Sequence, residues 1–447
     1  MMKAVIRPKG EMRDSKIEWM KMIPNEWTTP KLLYVLRNKI SDGPHETPHY
    51  VENGIPFISL ECLNESKTIN FSLCKRFISQ EDYNRYSLKT KLEKDDILFS
   101  KAASIGKTAI VDERQFMVWS PIAIIKNNAR KIDNKFLYYL LNCTELIMSI
   151  TLNGSMNTQI NVGMREIEQV RIPLPTLPEQ QIIADYLDEK CGKIDEIIAE
   201  AKASIDEYEN LRQSIIYEIL TKGPDDNVEM KDSGVEWIGK VPSHWMIGKV
   251  KYGTTKVGSG KTPKGGAEVY MTSGVMFLRS QNIYNDGLRL DNPYYISEEI
   301  DEEMKNTRVQ KNDVLLNITG GSIGRCCIFD GSIPNANVNQ HVCIIRVNSS
   351  VFLPEYMHLF WISPIGQISI KSYQTGGNRE GMSAEAIKNT PIPIIPIGEQ
   401  RRIVDLIKPK IDDFNSLISE KESLINDLEA YKKSLIYEVV TGKRRVV

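Results

Sequence analysis

What the sequence lacks narrows its function first. No stretch approaches the roughly 18 apolar residues that a membrane helix needs, so no membrane partner is expected. The segment from Met1 to Arg13 holds Lys3, Arg7, Lys9 and Arg13 but no apolar core, so it does not read as a secretory leader. Cysteine is scarce, seven in 447 residues, and no two stand as Cys-x-x-Cys. A thiolate metal site is therefore not expected, and an odd number of thiols suits a reducing, cytoplasmic setting. The five histidines are scattered and suggest no Ser/His/Asp or Cys/His arrangement. Charge of one sign is not in excess either: 57 Lys and Arg against 58 Asp and Glu give a net charge of −1.

Three motifs hint at chemistry and fall short of it. Gly258-Ser-Gly-Lys-Thr262 resembles the end of a phosphate-binding loop, but Thr255 stands where that loop needs glycine, and Pro263 follows where a helix should begin. Asp291-Asn-Pro-Tyr294 resembles the loop that holds an adenine for methylation, without its second proline and without a Gly-x-Gly cofactor loop before it. Pro224-Asp225 and Glu229-Met-Lys231 mimic a metal nuclease, yet three intervening residues cannot place the two parts on neighbouring strands around Mg²⁺. Asp225, Asp226, Glu229 and Asp232 read instead as a solvated acidic linker. No catalytic centre, metal or cofactor is expected.

What is present is repetition. Asp14-Ser-Lys-Ile-Glu-Trp19 returns as Asp232-Ser-Gly-Val-Glu-Trp237, and Pro24-Asn-Glu-Trp27 as Pro242-Ser-His-Trp245, at an offset of 218. Ile172-Pro173 and Glu179-Gln180 return as Ile392-Pro393 and Glu399-Gln400, and Ser214-Ile-Ile-Tyr-Glu218 as Ser434-Leu-Ile-Tyr-Glu438, at an offset of 220. Lys94-Asp-Asp-Ile-Leu98 pairs more loosely with Lys311-Asn-Asp-Val-Leu315. The chain is a tandem duplication, each half with a tryptophan-bearing lead-in, a divergent module and a closely matched tail. The divisions expected are a lead-in at 1–27, a module at 28–170, a helical region at 171–223, a linker with the second lead-in at 224–245, a module at 246–390 and a helical region at 391–447.

The tails read as long helices. In the first, Ile183, Leu187, Ile194, Ile198, Ala201, Ile205, Tyr208, Leu211, Ile215 and Ile219 recur at spacings near three and four. Ile403, Ile407, Phe414, Ile418, Ile425, Leu428, Tyr431, Leu435 and Val439 do so in the second. Such stripes can form a shared coiled-coil seam or face their own modules; matched lengths favour mutual pairing. Thr176-x-x-Glu179 reads as a capping box, Gly223-Pro224 as a stop, and Gly192 and Pro409 predict a kink or break in each helix. Connectivity makes the pair antiparallel, which returns the end near Thr441 to module one and the N-terminus.

The modules differ in pattern. Apolar runs at 55–63, 96–100 and 122–126, and at 275–283, 313–317 and 342–347, predict strands; 135–150 and 354–370 predict helices. The fold class expected is α+β: two mixed modules joined by two long antiparallel helices, with approximate two-fold symmetry.

Binding chemistry remains. Residues 28–170 carry 18 Lys and Arg against 16 Asp and Glu, and residues 246–390 carry 15 against 13, whereas the joining stretch 171–245 carries 8 against 16. A nucleic-acid surface is thus permitted on the modules and disfavoured between them. Lys256, Lys261 and Lys264 lie in an acid-free stretch with Gly, Ser and Thr interleaved, which suits phosphate contacts or a plain solvated loop. Lys101-Ala-Ala-Ser104-Ile-Gly-Lys107 and Thr319-Gly-Gly-Ser322-Ile-Gly-Arg325 are matched loops ending in a cation. Gly154-Ser-Met-Asn157 and Gly376-Gly-Asn378-Arg379-Glu380 are a second pair. Asn and Arg in such loops can read base edges, or Asn and Gly can simply shape turns.

The lead-ins, the Ile-Pro…Glu-Gln helix starts, the Ser-Ile-Gly-Lys/Arg loops and the tails Tyr217-Glu-Ile-Leu-Thr221 and Tyr437-Glu-Val-Val-Thr441 resemble the specificity subunit of type I restriction–modification enzymes. The resemblance covers nearly the whole chain, in order, twice. It implies two target-recognition domains that each read half of a bipartite double-stranded DNA site. It also implies helical regions that space them and bind modification (methyltransferase) subunits, two in number, with restriction (translocase/nuclease) subunits joining through the complex. Catalysis then belongs to other subunits, and this chain needs no cofactor. The alternative from another class is a coiled-coil scaffold whose globular ends bind proteins.

Overall fold

The structure, a computed structural model, describes residues 3–63, 67–152, 161–225, 227–372 and 381–446. The chain forms two units. One comprises residues 1–201 and 422–447, the other 202–421. Each holds one module and part of each long helix, Leu177–Lys222 and Ile397–Val440.

In the first unit an antiparallel four-stranded sheet runs in the order Ser41–Asp42, Ile122–Ile125, Ile97–Ser100, Thr108–Ile110. Ile97–Ser100 and Ile122–Ile125 are buried along their whole length, which explains why they read as unbroken apolar runs rather than alternating ones. A second sheet pairs Ile55–Ile58 in parallel with Met117–Val118 and antiparallel with Phe77–Ile78. The second unit repeats the plan. Thr254–Ser259, Val342–Val347, Val314–Asn317 and Cys326–Ile328 form the first sheet, and Val275–Leu278 lies between Tyr295–Ile296 and Ala336–Val338 in the second. The mixed α+β, duplicated architecture is the one expected.

Several details differ from the sequence reading. The runs at 55–63 and 275–283 are strand only to Ile58 and Leu278; a 3-10 turn follows in each, at Leu60–Cys62 and Ser280–Asn282. The helical stretches divide in two, Asn134–Leu141 with Thr144–Leu152, and Pro354–Ile362 with Pro364–Ser372. Neither long helix breaks at Gly192 or Pro409. A lone glycine costs a helix only about 1 kcal/mol, and buried Cys191 and Ile194 flank Gly192. Buried Ile407 stands just before Pro409. Packing outweighs the local preference.

The helices are antiparallel. In the second unit Arg212 donates to Asn415 Oδ1 (2.6 Å), while beyond the helix end Asp225 pairs with Arg402. In the first unit Lys432 meets Asp195 at 2.6 Å. The stripes serve two purposes, not one. Ile403 and Ile407 of the second stripe join the same buried cluster as Trp245 of the lead-in and Tyr356 and Trp361 of the second module. On the first helix it is Ile216 and Leu220 that enter it, one residue beyond the expected Ile215 and Ile219, which are only partly buried. Leu211 and Tyr431, counted on the seam, are instead about half exposed, at 51% and 49%. The chain's two ends meet in the first unit, where Ala4–Ile6 pairs antiparallel with Arg444–Val446. Among the described residues, no helix is long and apolar enough to cross a membrane.

Candidate nucleic-acid interface

The repeated Glu-Gln pairs fix each module to its helix. Glu179 is not spent on a capping box. Its carboxylate accepts from the Trp27 indole N–H (3.0 Å) and from Arg7 (3.2 Å). Glu399 accepts likewise from Trp245 (2.9 Å). Gln180 and Gln400 are fully buried. Gln180 accepts from the Asp133 N–H (2.7 Å) and donates to the Pro175 and Lys131 carbonyls. Gln400 accepts from the Leu353 N–H (2.8 Å) and donates to Val351 and Ile395. A charged acceptor for tryptophan and a satisfied buried amide explain why this dipeptide recurs.

With the module so held, one end of its sheets collects the loops. In the second module the ends of Thr254–Ser259, Val275–Leu278, Val314–Asn317 and Ala336–Val338 carry Gly260–Lys264, Arg279–Asn282, Ile318–Arg325 and Asn339–His341 to a common edge. Side chains lash these loops together. Asn317, fully buried, donates to the Ser280 carbonyl (2.7 Å) and to Ser322 Oγ (3.2 Å). Thr262 contacts Gln340, Gln340 contacts His341, and His341 contacts Thr319. Gly260 is obligatory, since a Cβ there would lie 2.0 Å from the Val338 carbonyl oxygen. That close approach, rather than a phosphate cradle, accounts for the glycine.

The first module repeats the edge. Gly43 sits as Gly260 does, with a Cβ again 2.0 Å from a carbonyl, that of Val118. Ser100 takes the part of Asn317: its hydroxyl donates to the Ser104 carbonyl and accepts from the Lys107 N–H (2.8 Å). A cleft of about 550 Å³ beside this edge is lined by Gly43, Pro44, His45, Arg85, Tyr86 and Lys89 among others.

The expected contact residues divide accordingly. Lys261, Lys264, Thr319, Ser322 and Arg325 share the second edge, and Ser104 and Lys107 the first. Lys261, Lys264 and Ser104 are exposed. Lys101 is not free: it is buried and pairs with Asp42 at 3.1 Å. Lys256 sits apart, near the far end of its strand beside Arg346, and donates to the Asn306 carbonyl; burial lowers its pKa. Asn157, Asn378 and Arg379 lie outside the described residues.

All seven cysteines are free thiols. Burial raises Cys191 to about 11 and Cys327 and Cys343 to about 12, which keeps them protonated rather than nucleophilic. No cluster of three metal-ligating side chains occurs among the described residues.

Comparison with known families finds the type I restriction modification DNA specificity domain twice, at residues 41–207 and 242–427. The chain belongs to that family. It is 24% identical over 327 residues to the type I restriction enzyme EcoBI specificity subunit of Escherichia coli, covering 70% of this chain and 66% of that protein. It is 26% identical over 447 residues to the putative type I restriction enzyme MjaX specificity subunit of Methanocaldococcus jannaschii, covering 95% of each. A chain from a structural study of type I R-M complex assembly and conformational transition shares the fold, with 14% identity, a TM-score of 0.67 and coverage of 94% of this chain and 98% of that one.

Each specificity domain thus contains one loop edge. Sequence reading found the Ser-Ile-Gly-Lys/Arg loop on each edge but missed the glycine turns at 43 and 260 and the arginine at 279. The signal for the turns was present, as Asp42-Gly43-Pro44 against Ser259-Gly260-Lys261, outside the blocks that match closely.

Proposed function

We propose that this chain is the DNA sequence-recognition subunit of a type I restriction–modification complex, with each module reading one half of a bipartite target. The observation that carries this reading is the duplicated loop edge, glycine-tight and cation-bearing, on both copies of the DNA specificity domain. Loops at one end of a rigid sheet can enter a groove, where lysines meet phosphates and Arg or Asn meet base edges. The recognition modules are residues 28–170 and 246–390; the helical regions 171–223 and 391–447 set the distance between half-sites. Lys107, Lys261, Lys264, Thr319, Ser322 and Arg325 are the contact residues, with Ser104 beside Lys107 in its loop; Asn157, Asn378 and Arg379, outside the described residues, complete the proposed set.

The long helices also present apolar side chains to solvent. Ile182, Ile197, Leu424 and Tyr431 do so in the first unit, and Leu211, Leu406 and Leu417 in the second. We assign these faces to modification (methyltransferase) subunits, one per unit and so two in all, through which restriction (translocase/nuclease) subunits are positioned. The chain itself is non-catalytic, needs no cofactor and works in the cytoplasm.

Methylome sequencing of the host, with and without the gene, tests the proposal. A split motif should vanish on deletion, and replacing residues 28–170 by another family module should change one half of it only. Persistence of every methylated motif after deletion, or a change in both halves after the swap, would count against it.

A further inference from the structure

Five arginines between residues 246 and 390 are described, and they fall into two classes. Arg289, Arg308 and Arg346 are neutralised by carboxylates, at 2.6 Å from Asp286, 2.7 Å from Asp301 and 2.7 Å from Asp313. Arg279 and Arg325 have no carboxylate partner among the described residues. Each lies on a tyrosine ring, and Arg325 shares its ring with the paired Arg289. The Arg279 guanidinium carbon is 3.6 Å from the centre of the Tyr294 ring, and that of Arg325 is 4.6 Å from Tyr284. Both unpaired arginines stand on the loop edge, and Asn317 ties their loops together through Ser280 and Ser322.

Arg279 is held more firmly than a surface side chain requires. Its backbone N–H donates to Asn282 Oδ1 (2.9 Å), and the Asn282 amide donates onward to the Arg289 carbonyl (2.8 Å). Tyr294 packs edge-on against Tyr270 at 5.2 Å, and Tyr270 meets buried Phe277 at 5.5 Å. Arg279 Nε is buried and hydrogen-bonds to nothing described. A stacked guanidinium keeps its plane fixed and loses little freedom when it binds. A cation left unpaired while its neighbours are paired leaves its donors for something outside the chain.

We propose that Arg279, acting with Arg325, reads guanine in the half-site of the second module. Each guanidinium, shelved on its tyrosine, presents its fork to the O6 and N7 acceptors of one guanine in the major groove. This rests on the proposed function and adds to it the base read and the residue that reads it. The first module has Ser59 after Ile58 where the second has Arg279 after Leu278, so its half-site lacks the Arg279 contact.

The test is selection of bound duplexes from randomised DNA by the full chain, with whatever subunits co-purify, as wild type, R279A, R279K, Y294F and Y294A. Expected is a loss of about tenfold to a hundredfold in preference for guanine at one position of one half-site in both R279A and R279K. Lysine keeps the charge but not the fork. Y294A should weaken the same position and Y294F should preserve it. Retained selection at the remaining positions of the same half-site shows that the second module of a variant is folded, and R279K decides alone if R279A is not. The inference is overturned if R279K restores the wild-type preference. It is equally overturned if R279A weakens all sequences alike and lowers the salt slope by about one, as a phosphate contact would. Selection of no sequence by the wild-type chain would instead remove the proposed function on which it rests.

Discussion

Gly43 and Gly260 turn the chain at equivalent places, each against the carbonyl of its neighbouring strand. Gln180 and Gln400 make the same three hydrogen bonds. Beneath the sheets, Asp96 meets Lys126 at 2.9 Å, as Asp313 meets Arg346 at 2.7 Å. Around these shared points the side chains at the edge diverge. The first module offers Pro44, His45, Ser59, Lys107 and a partly exposed Trp119; the second offers Lys261, Thr262, Arg279, Arg325 and Gln340. The frame is therefore what a duplicated reader must keep, and the edge is what it must vary to recognise two different half-sites.

The largest effects should come from breaking the frame. Gly260→Val places a side chain into the Val338 carbonyl, at a cost of about 3 kcal/mol or more. Recognition of the second half-site should be lost and that of the first kept; Gly43→Val should do the reverse. Paired selection experiments on the two variants check this, and loss of both half-sites from one substitution would contradict independent modules. Gln180→Ala and Gln400→Ala come next. Each leaves a buried N–H and two carbonyls without their partner, at about 1–3 kcal/mol. Because the bonds are the same, the two losses should be similar in urea unfolding, and a large difference would mean that the frame is less shared than its geometry.

Edge substitutions should be milder and unequal. Arg325→Ala should cost about 1–3 kcal/mol against a target carrying the right base and much less against others. Lys107→Ala should weaken all sequences alike and lower the salt slope by about one. Binding measured across a salt series on matched and mismatched duplexes separates the two behaviours.

Much of the frame could be read from sequence because its signals are local. Duplicated blocks gave the two halves, and unbroken apolar runs such as Ile97–Ser100 gave the buried strands. The errors arose where a distant partner overrides a local rule. Thr176-x-x-Glu179 has the spacing of a capping box, but the carboxylate serves Trp27 and Arg7, more than 150 residues away in sequence. Gly192 and Pro409 are breakers in isolation, yet their helices pass through them because neighbouring residues are buried. Lys101 and Lys107 end a matched loop and looked alike; only the fold shows that Asp42 claims the first. Arg279 was illegible for the converse reason, since what marks it is a missing partner and a ring fifteen residues on.

The smallest predicted effect concerns a place where the frame itself differs. In the first unit a cavity of about 410 Å³ opens between the module and the helices, lined by Lys67, Tyr138, Tyr139, Asn142, Asp188 and Cys191 among others. At positions matching Tyr139, Asn142 and Cys191 the second unit has Leu359, Ile362 and Ile411, which pack in or against its buried apolar cluster. Lys67 lies 4.7 Å from the centre of the Tyr139 ring and contacts Asp188. Burial, helped by the nearby Lys135 ammonium, lowers its pKa to about 8 from 10.5. In the unfolded chain Lys67 stays protonated up to its ordinary pKa, whereas in the folded one it gives up its proton near pH 8. Between those values the unfolded state binds more protons, so this group makes stability rise with pH over that window and contributes no slope well below it. Lys67→Met keeps the length and apolar contact of the side chain and removes the titration. Urea unfolding of wild type and variant at pH 7, 8, 9 and 10 should give two curves whose separation shifts in favour of wild type as pH rises. A constant separation would show that the ammonium is as comfortable in the cavity as in water. The polar junction would then be an ion pair exchanged for an apolar contact, with no strain on the lysine.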